Sequence, residues 1–201
     1  IELCGDRVPF GTDLLFESAG VVVGVELCED LWVPIPPSSY LVQQGADIIV
    51  NLSATNELIG KHSYLLSLVR QQSARCVAGY VYASAGFGES STDLVFAGNG
   101  LVVENGSILA ESKRFSSTPQ LVVSEIDVER LRTERRVMTS FAKGAWAHGR
   151  DARFIPFVLT DIPLRLTRKV GAFPFVPSDS LVLNERCAET VSYTHLTLPT
   201  T

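Results

Sequence analysis

A cysteine among carboxylates marks the end of the first predicted buried strand. The apolar run Ala19-Gly-Val-Val-Val-Gly-Val25 predicts this strand over residues 20–27, because β-branched residues favour strands. Cys28 follows it directly, and the neighbouring carboxylates belong to Glu26, Glu29 and Asp30. Since a thiolate attacks carbonyl carbons, a strand that delivers one thiol to a polar turn indicates a nucleophile. The alternative is that Cys28 is a small buried apolar side chain, as free cysteines often are.

A second polar loop follows the next predicted strand. Residues 46–52 predict that strand, and the loop over residues 53–60 contains Thr55. Lys61 then begins a helix predicted over residues 61–74. Because ligands in open α/β sheets bind beyond the carboxyl ends of the strands, we expect Cys28, Thr55 and Lys61 to share one site. Alternatively, Thr55 closes a turn through its hydroxyl, and Lys61 is a solvated residue of the helix.

The remaining patterns predict a mixed α/β fold with helices on the outer face of a mixed sheet. The Asn105-Gly106 pair predicts a tight hairpin. Further strands are predicted at Leu14–Phe16, Cys76–Tyr82, Leu94–Phe96, Gly100–Gly106, Ile108–Ser112 and Gln120–Asp127. Further helices are predicted from Ser38 or Ser39 to about Gln44, with the serine as cap, and over Val128–Met138.

Composition excludes several classes of function. The 201 residues are 46% hydrophobic and carry a net charge of -5, with no basic block, so we expect neither a nucleic acid nor a membrane as partner. The four cysteines and three histidines are too scattered for a metal site or a secreted disulfide framework. No apolar stretch is long enough to span a membrane, and the expected compartment is the cytoplasm.

Eight segments, in order and at matching spacing, resemble the nitrilase-type glutaminase domain of the glutamine-dependent NAD⁺ synthetase family. They are Gly24–Trp32, Pro36–Ser39, Asn51–Asn56, Gly60–Lys61, Gln72–Arg75, Tyr80–Gly86, Gly88–Asp93 and Glu134–Arg136. The resemblance implies a four-layer α-β-β-α sandwich, of which this chain is the C-terminal part. It also implies a glutamate–lysine–cysteine triad whose nucleophile position falls on Cys28.

The resemblance further implies that the Cys28 thiolate attacks the carboxamide of L-glutamine and releases ammonia. The backbone N–H of Glu29 would donate to the oxyanion. The two positions that bind glutamine fall on Thr55, where the family usually has serine, and on Lys61. Lys61 would pair with the α-carboxylate of glutamine or order its loop.

Two members of the implied triad lie upstream of Ile1 in this family, so we expect the chain to be a fragment that does not hydrolyse glutamine. Strand alternation places Glu26 on the same side as Cys28, where it could approach the thiol, but Glu26 would not replace the lysine. The family also carries a C-terminal synthetase domain and is oligomeric. ATP, Mg²⁺ and deamido-NAD⁺ belong to that domain, whose Ser-Gly-Gly phosphate loop does not occur in these 201 residues. We therefore expect no cofactor in this chain.

The domain boundaries follow from the same comparison. Residues 1–170 are predicted to be the partial glutaminase domain, residues 171–190 the start of a linker to the synthetase domain, and residues 191–201 a non-native tail without a compact fold. Two other functions are open. The chain could belong to a stand-alone amidase of the nitrilase superfamily, or it could be a non-catalytic module that associates with homologous chains.

Overall fold

The β-branched runs at residues 21–25 and 48–50 form the centre of a seven-stranded mixed sheet in the computed structural model, which describes residues 1–144, 151–159, 167–169 and 176–196. In chain order the strands are β1 (Glu2–Leu3), β2 (Asp6–Arg7), β3 (Leu14–Ser18), β4 (Val21–Leu27), β5 (Ile48–Ser53), β6 (Gly79–Ser84), β7 (Gly100–Glu104), β8 (Ser107–Glu111) and β9 (Arg153–Pro156). β1 pairs with β2, and the main sheet has the order β8-β7-β6-β5-β4-β3-β9. The predicted mixed α/β class is confirmed.

Helices α1 and α2 cover one face of the central strands. The helices are a 3₁₀-helix (Cys28–Trp32), α1 (Pro37–Gln43), α2 (Lys61–Cys76), α3 (Val128–Val137), α4 (Thr139–Ala142) and α5 (Ser180–Leu196). α1 lies so close to β4 that a Cβ atom at Gly24 would be 3.2 Å from the Leu41 Cβ and 3.0 Å from the Ile49 Cδ1. A glycine at this position therefore permits the close packing of helix on sheet.

The parallel pairing of β4, β5 and β6 brings the two polar loops to one edge of the sheet. Leu27 pairs with Leu52, and Leu52 pairs with Ala83. Cys28 follows β4 and the loop containing Thr55 follows β5, so both stand at the carboxyl ends of neighbouring parallel strands. The predicted convergence of these loops is confirmed.

At the amino ends of the central strands, a buried carboxylate binds α3. Asp47, which precedes β5 and is 1% exposed, accepts a hydrogen bond from the Val22 N–H at 3.0 Å. It also accepts from Arg132 of α3, with the Nε at 2.8 Å and the Nη2 at 2.5 Å, and the Arg135 Nη1 lies 3.9 Å away. This ion-pair group fixes α3 against the amino ends of the central strands.

The predicted hairpin is confirmed between β7 and β8. Asn105 and Gly106 have φ values of 45° and 81°, as a two-residue turn with two left-handed positions requires. The strand predicted over Cys76–Tyr82 begins later than expected, at Gly79. Cys76 instead completes α2, because Val77 takes a left-handed conformation and its N–H returns to the Ala74 and Ser73 carbonyls.

Two predicted strands are wrong because their hydrogen bonds or side chains are used otherwise. Residues 94–96 bond to loops, where the Glu57 N–H donates to the Val95 carbonyl and the Phe96 N–H to the Ser90 hydroxyl. Residues 120–127 form no ladder and instead run across the face of the sheet opposite α1 and α2. There Ile126 packs on Gly79, at 2.8 Å from the place of a Cβ atom.

The predicted start of α1 is also wrong. Pro37, not a serine, is its first residue, and no side chain caps the helix. Ser38 and Ser39 lie inside the first turn, where the Gln72 Nε2 donates to their hydroxyls at 3.0 and 2.9 Å. A proline in the first turn needs no cap for its own position because it has no N–H.

The chain divides into two units, residues 1–165 and 166–201. In the second unit α5 begins after Asp179, whose carboxylate accepts from the Leu181 and Val182 N–H groups. The helix continues to Leu196, so part of the segment predicted to be a non-native tail is helical; residues 197–201 lie outside the described residues. The domain boundaries stay predictions. No helix in the described ranges could cross a membrane.

Replacing Asp47 with asparagine should destabilise the first unit by about 3 kcal/mol, because Arg132 and Arg135 then lose a buried counter-charge. Urea denaturation followed by circular dichroism measures this loss. The matched control is Arg136→Gln on the same helix, an exposed side chain that contacts Thr133. The control should change the free energy of unfolding by less than about 0.5 kcal/mol. Equal effects of the two substitutions would contradict the anchoring role of Asp47.

The stability contribution of Cys76 should disappear at high pH. Burial, aided by the charge of Glu26, raises the pKa of the Cys76 thiol from 9.0 to about 11. The contribution is therefore present below pH 9 and is lost as the pH rises toward 11. The stability difference between the wild type and Cys76→Ala should narrow by about 2 kcal/mol between about pH 8 and about pH 10.5. A constant difference in urea denaturation would contradict this.

Candidate active site

Cys28 occupies a strained backbone position at the end of β4. Its φ is 47°, in the left-handed region that non-glycine residues rarely enter, and its side chain is half-buried. The turn is tied by Asp30, whose carboxylate accepts from the Leu27 N–H at 2.8 Å. Other non-glycine residues in the described ranges share this conformation, among them Val77 and Asn105. The strain gains its functional meaning from the place of Cys28 at the carboxyl edge of the sheet.

Lys61 contacts both polar loops. Its ammonium group donates to the Asn56 carbonyl at 3.0 Å and to the Asn56 Oδ1 at 2.9 Å. It also lies 5.1 Å from the ring centre of Trp32, the last residue of the 3₁₀-helix that Cys28 begins. Trp32 stacks on Tyr64 of α2, with ring centres 5.5 Å apart. Lys61 thus joins the loop after β5 to the last residue of the 3₁₀-helix after β4.

Thr55 sits in the loop after β5, partly buried. Its backbone N–H donates to the Ser84 hydroxyl at 3.3 Å, and its own hydroxyl forms no hydrogen bond with any described residue. The hydroxyl therefore does not close a turn within the described ranges. Glu29 lies in the first turn of the 3₁₀-helix with an exposed side chain. The substrate roles predicted for Thr55, Lys61 and Glu29 stay predictions.

Both carboxylate oxygens of Glu26 are hydrogen-bonded to groups other than Cys28, although Glu26 is only two residues before Cys28 in the sequence. One carboxylate oxygen accepts from the Ser38 N–H at 2.8 Å, and the other accepts a short hydrogen bond from the Tyr80 hydroxyl. Glu26 is 2% exposed. No hydrogen bond joins it to Cys28 within the described residues. The geometry therefore does not support Glu26 as a base for the thiol.

A small polar cavity adjoins Thr55 and Lys61 and was not foreseen from the sequence. It has a volume of about 10 Å³, enough for one water-sized molecule. Its wall includes the Tyr82 hydroxyl and the Asn99 Oδ1, which are buried without a partner among the described residues. His62 holds the other side of Asn99, with 3.2 Å between the His62 Nδ1 and the Asn99 Nδ2. Tyr82 lies in one of the resembling segments, whereas Asn99 carries no sequence signal.

Comparison with known proteins connects this chain to one family. The carbon-nitrogen hydrolase profile matches residues 5–136. The glutamine-dependent NAD(+) synthetase of Mycobacterium tuberculosis strain H37Rv is 43% identical over 198 residues, which cover 94% of this chain and 29% of that protein. The chain thus spans less than a third of the length of this relative.

Solved structures show the same fold. A carbon-nitrogen hydrolase from Helicobacter pylori G27 matches with a TM-score of 0.56 at 19% identity, over 68% of this chain and 50% of that one. A glutamine-dependent NAD(+) synthetase from Cytophaga hutchinsonii matches with a TM-score of 0.52 at 25% identity, over 61% of this chain and 19% of that one. Because the family profile also covers more than half of its residues, the chain belongs to the carbon-nitrogen hydrolase family.

Proposed function

We propose that the chain is the glutaminase part of a glutamine-dependent NAD⁺ synthetase and that Cys28 is its nucleophile. The observation that carries the proposal is the left-handed Cys28 at the carboxyl end of β4, in a 3₁₀-helix whose last residue contacts Lys61. The identity of 43% to a glutamine-dependent synthetase over nearly the whole chain supports the same assignment.

The proposed reaction begins with attack of the Cys28 thiolate on the carboxamide carbon of L-glutamine, which forms a C–S bond and an oxyanion. The N–H of Glu29 is the oxyanion donor, because the first N–H groups of a helix have no partner within it. The C–N bond then breaks, and the nitrogen takes up a proton and leaves as ammonia. Water attacks the resulting thioester, which releases L-glutamate and restores the thiol.

Lys61 and Thr55 bind the α-amino-acid part of glutamine in this proposal. A lysine ammonium has three donors, and two of those on Lys61 hold Asn56. The third is directed to the substrate α-carboxylate, so the two roles considered for Lys61 coexist. The Thr55 hydroxyl supplies a neutral hydrogen bond next to it.

The glutamate base and the lysine of the triad come from other parts of the parent enzyme in this proposal. Glu26 does not serve as the base, since both of its oxygens are bound elsewhere. The ammonia is then used for ATP-dependent amidation of deamido-NAD⁺ in a synthetase domain, which would also hold Mg²⁺. Homo-oligomerisation of the parent enzyme is part of the same proposal.

A chloromethyl ketone analogue of glutamine that carries the α-carboxylate should alkylate Cys28 in the 201-residue chain. An excess of L-glutamine should protect the Cys28 thiol from this reagent. Lys61→Met should slow this labelling about tenfold, because the reagent loses the partner of its carboxylate. Peptide mass spectrometry measures the rate at each cysteine.

Two controls distinguish a change in the reactivity of the Cys28 thiol from a change in the binding of the reagent. Iodoacetamide has no carboxylate, so its reaction with Cys28 should be unaffected by Lys61→Met. Arg75→Met, an exposed cation in the last turn of α2, should leave both rates unchanged. Equal slowing with both reagents would show that Lys61 acts on the fold rather than on the substrate.

The 201-residue chain alone should release no more ammonia from L-glutamine than its Cys28→Ala variant. The physical reason is that no described carboxylate or imidazole bonds to the thiol, and the proposed base lies elsewhere. A coupled ammonia assay checks this. Turnover that depends on Cys28 would contradict the proposal that the base comes from outside this chain.

A further inference from the structure

A buried hydrogen bond between Glu26 and Ser38, here called the clasp, closes the loop that begins at Cys28. Glu26 is the second residue before Cys28, and Ser38 follows the loop in the first turn of α1. The hydrogen bond of 2.8 Å from the Ser38 N–H to the Glu26 Oε2 joins the entrance and the exit of this segment. Glu26 is 2% exposed and Ser38 is fully buried, so water does not compete for the bond. The conformation of the segment therefore depends on where the Glu26 carboxylate is held.

The second oxygen of Glu26 is held by a chain of hydrogen bonds that crosses three strands. The Ser53 hydroxyl donates to the Asn51 Oδ1 at 2.7 Å, and the Asn51 Nδ2 donates to the Tyr80 hydroxyl at 3.1 Å. Tyr80 then donates to the Glu26 Oε1. Burial, together with the charge of Glu26, raises the pKa of Tyr80 well above its ordinary range, so the hydroxyl stays protonated as a donor. Every bond of the chain thus points toward the carboxylate.

We infer that Glu26 and Tyr80 are positioning residues, which hold the Cys28 turn in its left-handed, half-buried conformation. A φ of 47° is unfavourable for a cysteine, so the turn relaxes unless the flanking backbone is fixed. The residue before the turn is fixed by the Asp30 carboxylate, and Glu26 fixes the strand end one residue earlier. The positioning acts on the thiol itself; its value for catalysis rests on the proposed function of Cys28.

The same series of hydrogen bonds links the two loops of the candidate site. Ser53 is the last residue of β5, directly before the loop that contains Thr55. The hydrogen bonds that start at Ser53 end on the carboxylate that closes the Cys28 loop. Buried hydrogen-bond networks with every member satisfied hold a unique arrangement of side chains. The clasp therefore sets the position of the thiol relative to the loop proposed to bind glutamine.

The test is the rate at which iodoacetamide labels each cysteine at a fixed pH. Tyr80→Phe removes the donor to Glu26, so the turn should relax and Cys28 should be labelled at least fivefold faster. The matched control is Tyr82→Phe, which removes a buried hydroxyl from the same strand and face but one without a partner among the described residues. In this control the Cys28 rate should stay within twofold of the wild-type rate.

The other cysteines report on the fold in the same sample. Cys76 is buried and should stay unlabelled in a folded variant, whereas Cys4 and Cys187 are exposed and give the intrinsic rate. If Cys76 becomes labelled in Tyr80→Phe, that variant is misfolded and Glu26→Gln takes its place in the test. The amide oxygen introduced by Glu26→Gln still accepts from Tyr80, but the carboxylate bond to the Ser38 N–H is lost. An unchanged or slower Cys28 rate, with Cys76 protected, would overturn the inference. Failure of the chloromethyl ketone experiment alone would count against the glutamine site and not against the clasp.

Discussion

Parallel pairing of β4 with β5 is the constraint from which the site follows. Leu27 and Leu52 are partners at the carboxyl ends of these strands, so the residues after them must emerge side by side. This places the turn of Cys28 next to the loop containing Thr55 and Asn56 once the crossover through α1 has closed. Lys61 then contacts both segments through Asn56 and Trp32. Pairing in a shifted register would separate the groups that the proposed chemistry requires.

A buried carboxylate stabilises the structure at each end of the central strands. Asp47 stands before β5 and is neutralised by arginines of α3, with strong charge-assisted bonds. Glu26 stands near the end of β4 and is bound by a backbone N–H and a tyrosine hydroxyl instead. The two carboxylates therefore differ in their donors: cationic side chains hold Asp47, whereas neutral donors hold Glu26 and bring no charge of their own.

The sequence predicted the elements with strong local signals and failed where tertiary packing decided. The β-branched runs around Val22 and Ile49, and the Asn105-Gly106 turn, have one favourable conformation each. Residues 120–127 contain the apolar run Leu121-Val-Val123, as a strand would, but Ile126 covers Gly79, and nothing local distinguishes these two uses. For the site, local pattern indicated Cys28 and the two loops. The partners of Glu26 could not be predicted, because Ser38 and Tyr80 are distant in sequence and meet only through the sheet order.

The left-handed conformation of Cys28 sets stability against reactivity at a single position. Glycine would adopt a φ of 47° without a Cβ penalty, so a glycine at this site would relieve strain while removing the thiol. Selection for thermal resistance alone would therefore favour loss of the nucleophile. Any engineering of this scaffold for robustness should exempt this residue and seek its gains elsewhere, such as at the exposed surface of α2.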